Sequence, residues 1–329
     1  MEVGSPLSIQ VVSDGRAGIE NQALGLAEAI QRLVPADISI KRIRWRPMFD
    51  RLPSALKTEA MLDPGSDAPF PSPTEPWPDL WIATGRATLP LSVAVRQRSG
   101  GRTFVVQTQD PRSNPSRFDM VVAPAHDGLS GDAVFEIIGS PHRITPDRIA
   151  AAAVAFAERL DPLPHPRVAV LIGGRSAAFD LTPAHAIGLA DDIAAAIAAA
   201  GGSLMLTFSR RTPSEARRIM TERLSILPGL IWDETGENPL FAFLQSADHI
   251  LVTEDSANMA TEAASTGKPV RILPMVPRKP SGKFARLHAD LEAHGATRPF
   301  DGDLTPWTYV PLNETARAAR AVLEAMAAR

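Results

Sequence analysis

The chain of 329 residues contains no cysteine. That absence excludes disulfides, thiolate zinc sites and cysteine nucleophiles together. Neither sign of charge prevails: 34 basic against 37 acidic residues leave a formal net charge of -3. Such a balance argues against a nucleic-acid binder driven by electrostatics, while still allowing a local basic patch. No apolar run is long enough to cross a bilayer, and the opening MEVGSPLSIQVV lacks the basic-then-apolar layout of a secretory leader. The expectation is a cytoplasmic protein, with a peripheral membrane contact neither indicated nor excluded.

What is present fits a soluble globular protein: 44% of residues are apolar and 22% charged. The length exceeds one ordinary core, so two domains are expected. Short β-branched runs alternate with helical patterns almost throughout. Strands are predicted at Leu7–Val12, Asp37–Ile43, Leu80–Ala83, Thr103–Gln107, Met120–Ala123 and Val134–Ile138, with a helix around Asn21–Leu33. The runs are continuous rather than alternating, which suits strands covered on both faces, as in a parallel sheet. A helix over Pro146–Leu160 follows, with Thr145 as its cap and Pro146 at its first position.

Asp161 to Pro166 reads DPLPHP, three prolines in six residues, and predicts a stiff interdomain linker. A second series begins at once. Strands are expected at Arg167–Gly174, Gly202–Ser209, Leu230–Trp232, His249–Thr253 and in PVRIL. Helices are expected over Pro183–Ala200, Pro213–Leu224 and Pro239–Ser246. No short-period repeat is visible. The pattern predicts an α/β protein of two doubly wound parallel-sheet domains, residues 1–160 and 167–311 around a linker at 161–166. The last helix, in 312–329, could pack on either domain.

In open parallel sheets ligands bind beyond the carboxyl ends of the strands, so the polar loops there carry the candidate chemistry. SDGRAGIENQ (Ser13–Gln22) contains turn glycines, but also Arg16, Asn21 and Gln22 at a helix start. Asp14 is its carboxylate best placed to act as a base. TGRAT (Thr84–Thr88) repeats the layout, and a simple cap accounts for it when taken alone. His126 beside Asp127 offers a second base with an orienting carboxylate, or a solvated pair. IGGRS presents Gly173, Gly174 and Arg175 after a strand, where paired glycines let amides approach a phosphate. It is neither a Walker loop nor a complete GxGxxG. FSRRTP places Ser209 and Arg210 next to Arg211. One arginine paired with a carboxylate and the other solvated would account for them; since neighbouring arginines diverge, one of the two is expected to be functional. Asn238 opens a helix at an Asn-Pro turn and could reach the same ligand.

The stretch VTEDSANMATEAASTGKPVRIL, Val252 to Leu273, is the most informative. A helix over Ala257–Thr266 would be capped by Asp255 or Ser256 and stopped by Gly267 and Pro269. Ala257, Ala260 and Ala264 would face the sheet; Asp255, Met259 and Glu262 would lie roughly opposite. Capping does not call for Glu262. A diphosphate on the amides of Ser256 to Met259, Asn258 included, with ribose hydroxyls on Glu262, would.

Taken together, DGRAGIENQ, the TGR loop, QDP, AHD, IGGRS, SRRTP, ENP and VTEDSANMATEAASTGKPV resemble the mitochondrial-fission ELM1 family and its bacterial homologues. The resemblance covers most of the chain. It departs at Phe208, Ile19, Ala125 and Leu240, where the family more often carries threonine, a polar residue, glutamate and an aromatic. It implies a GT-B-like fold, two Rossmann-like domains facing a central cleft. The helix with Glu262 is also similar to the donor helix of MurG-type glycosyltransferases, where a glutamate holds the ribose. The resulting expectation is an inverting glycosyltransferase using a nucleotide-diphosphate sugar, most simply a uridine one, and an acceptor hydroxyl of unidentified identity. Gly173, Gly174, Arg175, Ser209, Arg210, Asn238, Asp255, Ser256, Asn258, Met259 and Glu262 would hold the donor, and Asp14, or His126 with Asp127, would be the base. No metal and no further cofactor is expected. Alternatives are a UDP-sugar 2-epimerase, which needs no acceptor, and a non-catalytic adaptor in organelle organisation.

Overall fold

The computed structural model describes Ser5–Arg329; the first four residues of the stretch read above for a leader lie outside the described residues. The chain divides into two compact units. One runs up to Arg143 and also includes Asn313–Arg329; the other is Ile144–Leu312.

The first unit starts with strand β1 (Leu7–Ser13), helix α1 (Ala17–Gln31), β2 (Ala36–Arg42) and a single turn α2 (Pro47–Asp50). β3 (Leu80–Thr84), α3 (Leu89–Arg98), β4 (Phe104–Thr108), β5 (Met120–Pro124) and β6 (Val134–Ile137) complete its sheet. All neighbours are parallel, in the order β2-β1-β3-β4-β5-β6, with Ile9 opposite both Ile38 and Leu80. β3, β4 and β5 are buried at every position. Ile9, Val11, Ile82 and Val106 face the α1 side, and Val12, Trp81, Ala83 and Val105 the opposite side with Leu91 and Val95 of α3. Two covered faces are why these strands read as unbroken apolar runs.

The second unit opens with α4 (Pro146–Ala155) and α5 (Ala157–Leu160), where a single helix was expected. The break falls at Phe156, whose ψ of 6 interrupts the helical ladder. β7 (Arg167–Ile172), β8 (Phe179–Asp180), α6 (Pro183–Ala199), β9 (Ser203–Phe208), α7 (Ser214–Leu224) and β10 (Gly229–Ile231) follow. The remainder is α8 (Leu240–Ser246), β11 (His249–Thr253), α9 (Ala257–Ala264), β12 (Val270–Leu273), β13 (Val276–Pro277), α10 (Gly282–Ala293) and β14 (Thr297–Pro299). The main sheet is parallel, in the order β10-β9-β7-β11-β12-β14; β8 and β13 form a separate antiparallel pair. α6 and α7 bury Leu189, Ile193, Ile197, Ile219 and Met220 on one face of it. α10 and β14, which the sequence reading did not include, extend the sheet by its last strand.

The expected boundary at 160/161 is corrected to Arg143/Ile144. α4 packs against α8 and α5 against β10, so both belong to the second unit. Residues 161–166 are likewise not a free linker. Arg167 donates to the carbonyls of Asp161 (2.7 Å) and Leu163 (3.2 Å), Ser203 to that of Pro164 (2.7 Å), and His165 Nδ1 lies 2.5 Å from Asp248. The prolines stiffen a segment fastened to the second sheet.

The final helix α11 (Glu314–Ala327) belongs to the first unit, with Ala318, Ala319 and Val322 packed beside α1. Glu314 Oε2 accepts from the Ile138 amide at 2.8 Å, and Thr315 Oγ1 from that of His142 at 3.1 Å. Gly25 of α1 lies against the same turn: a β-carbon there would come 2.4 Å from the His142 carbonyl oxygen.

Candidate functional site

Renumbered along the second unit, its main sheet has the order 3-2-1-4-5-6 of dinucleotide-binding domains, reversing direction between β7 and β11. Ligands of such sheets sit outside the carboxyl ends of the strands at that reversal. The loops that leave β7 and β11 are Gly173–Ser176 and Glu254–Ser256, two of those singled out by sequence.

The two loops are tied to each other. The Gly173 amide donates to Thr253 Oγ1 at 2.7 Å and the Gly174 amide to Asp255 Oδ2 at 3.0 Å. Thr253 Oγ1 donates to Asp255 Oδ1 at 2.7 Å, and Arg211 pairs with Asp255 at 2.9 Å. The glycines are required by crowding. A β-carbon on Gly173 would lie 1.9 Å from Asp255 Oδ1, and one on Gly174 would lie 2.1 Å from the Arg211 carbonyl oxygen. Gly173, Gly174 and Asp255 were expected to hold the donor; here the Gly173 and Gly174 amides and the Asp255 carboxylate have protein partners. The Asp255 side chain is 0% exposed. Its role is to join the loops after β7, β9 and β11.

The arginine pair divides as expected of neighbours whose side chains diverge. Arg211 takes Asp255; Arg210 is exposed and has no ion-pair partner among the described residues. Ser209 Oγ accepts from the Arg211 amide at 3.1 Å and lies 3.3 Å from Thr212 Oγ1, which also donates to the Gly173 carbonyl at 2.5 Å. Arg175 gives its amide to the Arg211 carbonyl and holds its guanidinium 3.6 Å from Asp180. Asn238 is exposed and caps the turn into α8, its Oδ1 accepting from Leu240 N at 2.9 Å.

Helix α9 begins after Ser256, the cap: its hydroxyl accepts from the Met259 amide at 3.4 Å. That contact removes the Met259 amide from the set expected to meet a diphosphate. The Ala257 amide has no acceptor among the described residues. Ala260 and Ala264 are buried against the sheet, whereas Ala257 is half-buried. Asn258 and Glu262, one turn apart, share the half-buried outer face with Met259 beside them. Glu262 accepts no hydrogen bond from the described residues, and burial alone pushes its carboxyl up to about 7. The GKP that ends the stretch has a structural use. Lys268 Nζ donates to the carbonyls of Gln245 and Ala247 (2.6 Å for the latter), closing the end of α8.

The first sheet reverses between β1 and β3, and the loops leaving them are those of Asp14–Arg16 and Gly85–Ala87. Asp14, the expected base, is held by Arg16: Oδ2 lies 2.9 Å from Nε and 2.7 Å from a terminal guanidinium nitrogen. His126 and Asp127 form the one-turn helix that follows β5, half-buried, with Gly128 left-handed behind them. Two residues of DGRAGIENQ prove structural. Glu20 is buried and accepts from Ser13 Oγ (2.6 Å) and from Arg42 (2.8 and 2.9 Å); Arg42 in particular holds its carboxyl below the usual range. Gln22 is buried too and accepts from Gln109 at 2.8 Å.

Among the described residues no group of three or more His, Asp or Glu side chains is placed to hold a metal ion. Among the described residues no helix is long and apolar enough to cross a membrane.

Two parallel six-stranded units in these orders define a GT-B-like fold. Solved structures agree. UDP-GlcNAc 2-epimerase from Methanocaldococcus jannaschii matches 97% of this chain and 99% of its own with a TM-score of 0.54 at 12% identity. MurG from Acinetobacter baumannii matches 97% and 100% with a TM-score of 0.50 at 14% identity. At such identities the likeness is one of fold. The sequence goes further: residues 17–326 match the family profile of mitochondrial fission ELM1, and the chain belongs to that family. Mitochondrial fission protein ELM1 of Arabidopsis thaliana is 32% identical over 279 residues, 77% of this chain. The chain spans 65% of the length of that plant relative.

Proposed function

We propose that the second unit binds a nucleoside-diphosphate sugar, most simply a uridine one, and that the protein transfers its sugar to an acceptor hydroxyl. The observation that carries this reading is Glu262. A half-buried carboxylate without a hydrogen-bond partner is unfavourable to maintain, and a pair of ribose hydroxyls would supply the missing donors. The exposed Arg210 and the Ala257 amide would take the diphosphate; Ser209 and Ser256 lie on the same loops, and Asn258 in the first turn of α9. Transfer would be a displacement in which the acceptor oxygen forms the new bond to the anomeric carbon as the diphosphate leaves. The acceptor proton would pass to Asp14 released from Arg16, or to His126 oriented by Asp127. Arginine and helix amides, rather than a metal, would carry the leaving charge. The name of one fold neighbour, a UDP-GlcNAc 2-epimerase, agrees with a sugar nucleotide.

The test is calorimetric titration of the full chain with UDP, GDP and ADP, repeated on Glu262→Ala and Arg210→Ala. UDP should bind, and each variant should weaken it by about 10- to 100-fold, the worth of a hydrogen bond to a charged group. If no nucleotide binds the unaltered chain, the reading fails and a non-catalytic adaptor is favoured. Binding that ignores Glu262→Ala would displace the site map alone. A product formed from UDP-sugar without acceptor would indicate epimerisation.

A further inference from the structure

The first unit holds a cleft of about 670 Å³ at its own sheet reversal, lined by Arg16, Arg51, Lys57 and Arg86 with Asp14 and Asp50. Four cations against two carboxylates leave an excess of positive charge in a chain whose overall charge is slightly negative. The cations are not equally satisfied. Arg16 holds Asp14, while Arg51 and Arg86 are exposed and have no ion-pair partner among the described residues. Lys57 is the unusual member: its side chain is 7% exposed. Its ammonium donates to the Asp50 carbonyl at 2.8 Å, lies 3.9 Å from the Asp50 carboxylate and stands 5.0 Å from the centre of the Trp45 ring. An ammonium has three donors, and among the described residues this one hydrogen bond is made. Burial, opposed by Asp50, lowers its pKa. A buried cation with donors to spare, at the wall of a cleft flanked by two unpaired guanidinium groups, lacks a polyvalent oxyanion.

We propose that this cleft is a binding site for a phosphate ester, with Arg51 and Arg86 on the phosphate oxygens and Lys57 beneath them. Guanidinium groups match phosphate oxygens in pairs, and a sunken ammonium adds a point charge that solvent screens poorly. A second hollow of about 430 Å³ shares Asp14, Asp50, Arg51 and Ala87 and adds Ile43, Trp45 and Pro47, giving the esterified group an apolar wall. No residue of the site belongs to the second unit, so it does not rest on the donor reading.

The experiment titrates the full chain with inorganic phosphate and with glycerol phosphate, followed by calorimetry, and measures co-sedimentation with phosphatidylcholine vesicles containing phosphatidic acid. Arg51→Ala and Arg86→Ala, both at exposed positions, and Lys57→Met are compared with the unaltered chain, and Arg320→Ala, at an exposed position of α11 outside the cleft, serves as control. Binding of a soluble phosphate, or of the acidic vesicles, that falls about tenfold or more in Arg51→Ala and Arg86→Ala but not in Arg320→Ala supports the site. Which arm responds tells a soluble ester from a lipid headgroup. Absence of binding in all arms, or binding unchanged in the two arginine variants, overturns it, whatever Lys57→Met does to folding.

Discussion

Truncating Asp255 to alanine tests whether this residue is a tie between loops or a ligand contact. The carboxylate is fully buried and satisfies three groups: the Gly174 amide, the Thr253 hydroxyl and the Arg211 guanidinium. Removing it orphans two buried donors, at about 1–3 kcal/mol each. Arg211 is 43% exposed and returns to water, so its release adds at most about 1 kcal/mol. Partial filling by water lowers the sum, and a net loss of about 3 kcal/mol is expected. Asp255→Asn, which keeps one acceptor in the same shape, should lose about half as much. Because a chain of two units need not unfold in one step, urea denaturation should be read with amide hydrogen exchange of β7 and β11, where protection should fall first. A loss below about 0.5 kcal/mol, the ordinary range of surface changes, with exchange unaltered, would refute the tie. Asp255→Ala that stays stable yet loses nucleotide binding would return the residue to the ligand.

Two more outcomes follow from single contacts. Glu262 has its folded pKa raised from 4.5 to about 7, so the folded protein holds that proton more tightly than the unfolded chain. Its neutral form is favoured below 4.5, and stability is lost as pH rises from there through about 7. Glu262→Gln should therefore gain melting temperature relative to the unaltered chain across that window, and parallel curves would show the carboxyl is not desolvated. Gly25→Ala forces a methyl group to within 2.4 Å of the His142 carbonyl oxygen. Overpacking of this kind costs about 1–3 kcal/mol, and an undiminished thermal midpoint would mean that α1 can shift away freely.

The alternation of strands and helices was legible because strands buried on both faces read as unbroken apolar runs; β3, β4, β5 and β11 show it plainly. The domain boundary was not. Proline content reports that 161–166 is stiff, while its attachment depends on Arg167, Ser203 and Asp248, which lie elsewhere in the sequence. The candidate loops were legible too, since turn glycines and polar residues cluster after each strand. Which of their groups are free was not. The crowding around Gly173 and Gly174 comes from Asp255 and Arg211, far along the chain, so glycines that suggest a phosphate loop locally are explained by packing. Adjacent arginines look alike until a buried carboxylate selects one. Lys57 gave no signal at all: it follows Pro53 in an irregular stretch without periodicity, and only the folded cleft shows what it lines.

The return of α11 to the first unit has a consequence for how the protein is made. The second unit is one uninterrupted segment, Ile144–Leu312, and all its strands have been synthesised before Asn313 emerges. The first unit is different: Ala318, Ala319 and Val322 cover apolar surface beside α1 that was synthesised some 300 residues earlier. On the ribosome, the half that begins the chain is therefore the half that must wait. Its sheet can assemble early, but the α1 face stays open until the last helix arrives, well after the unit encoded in between has closed.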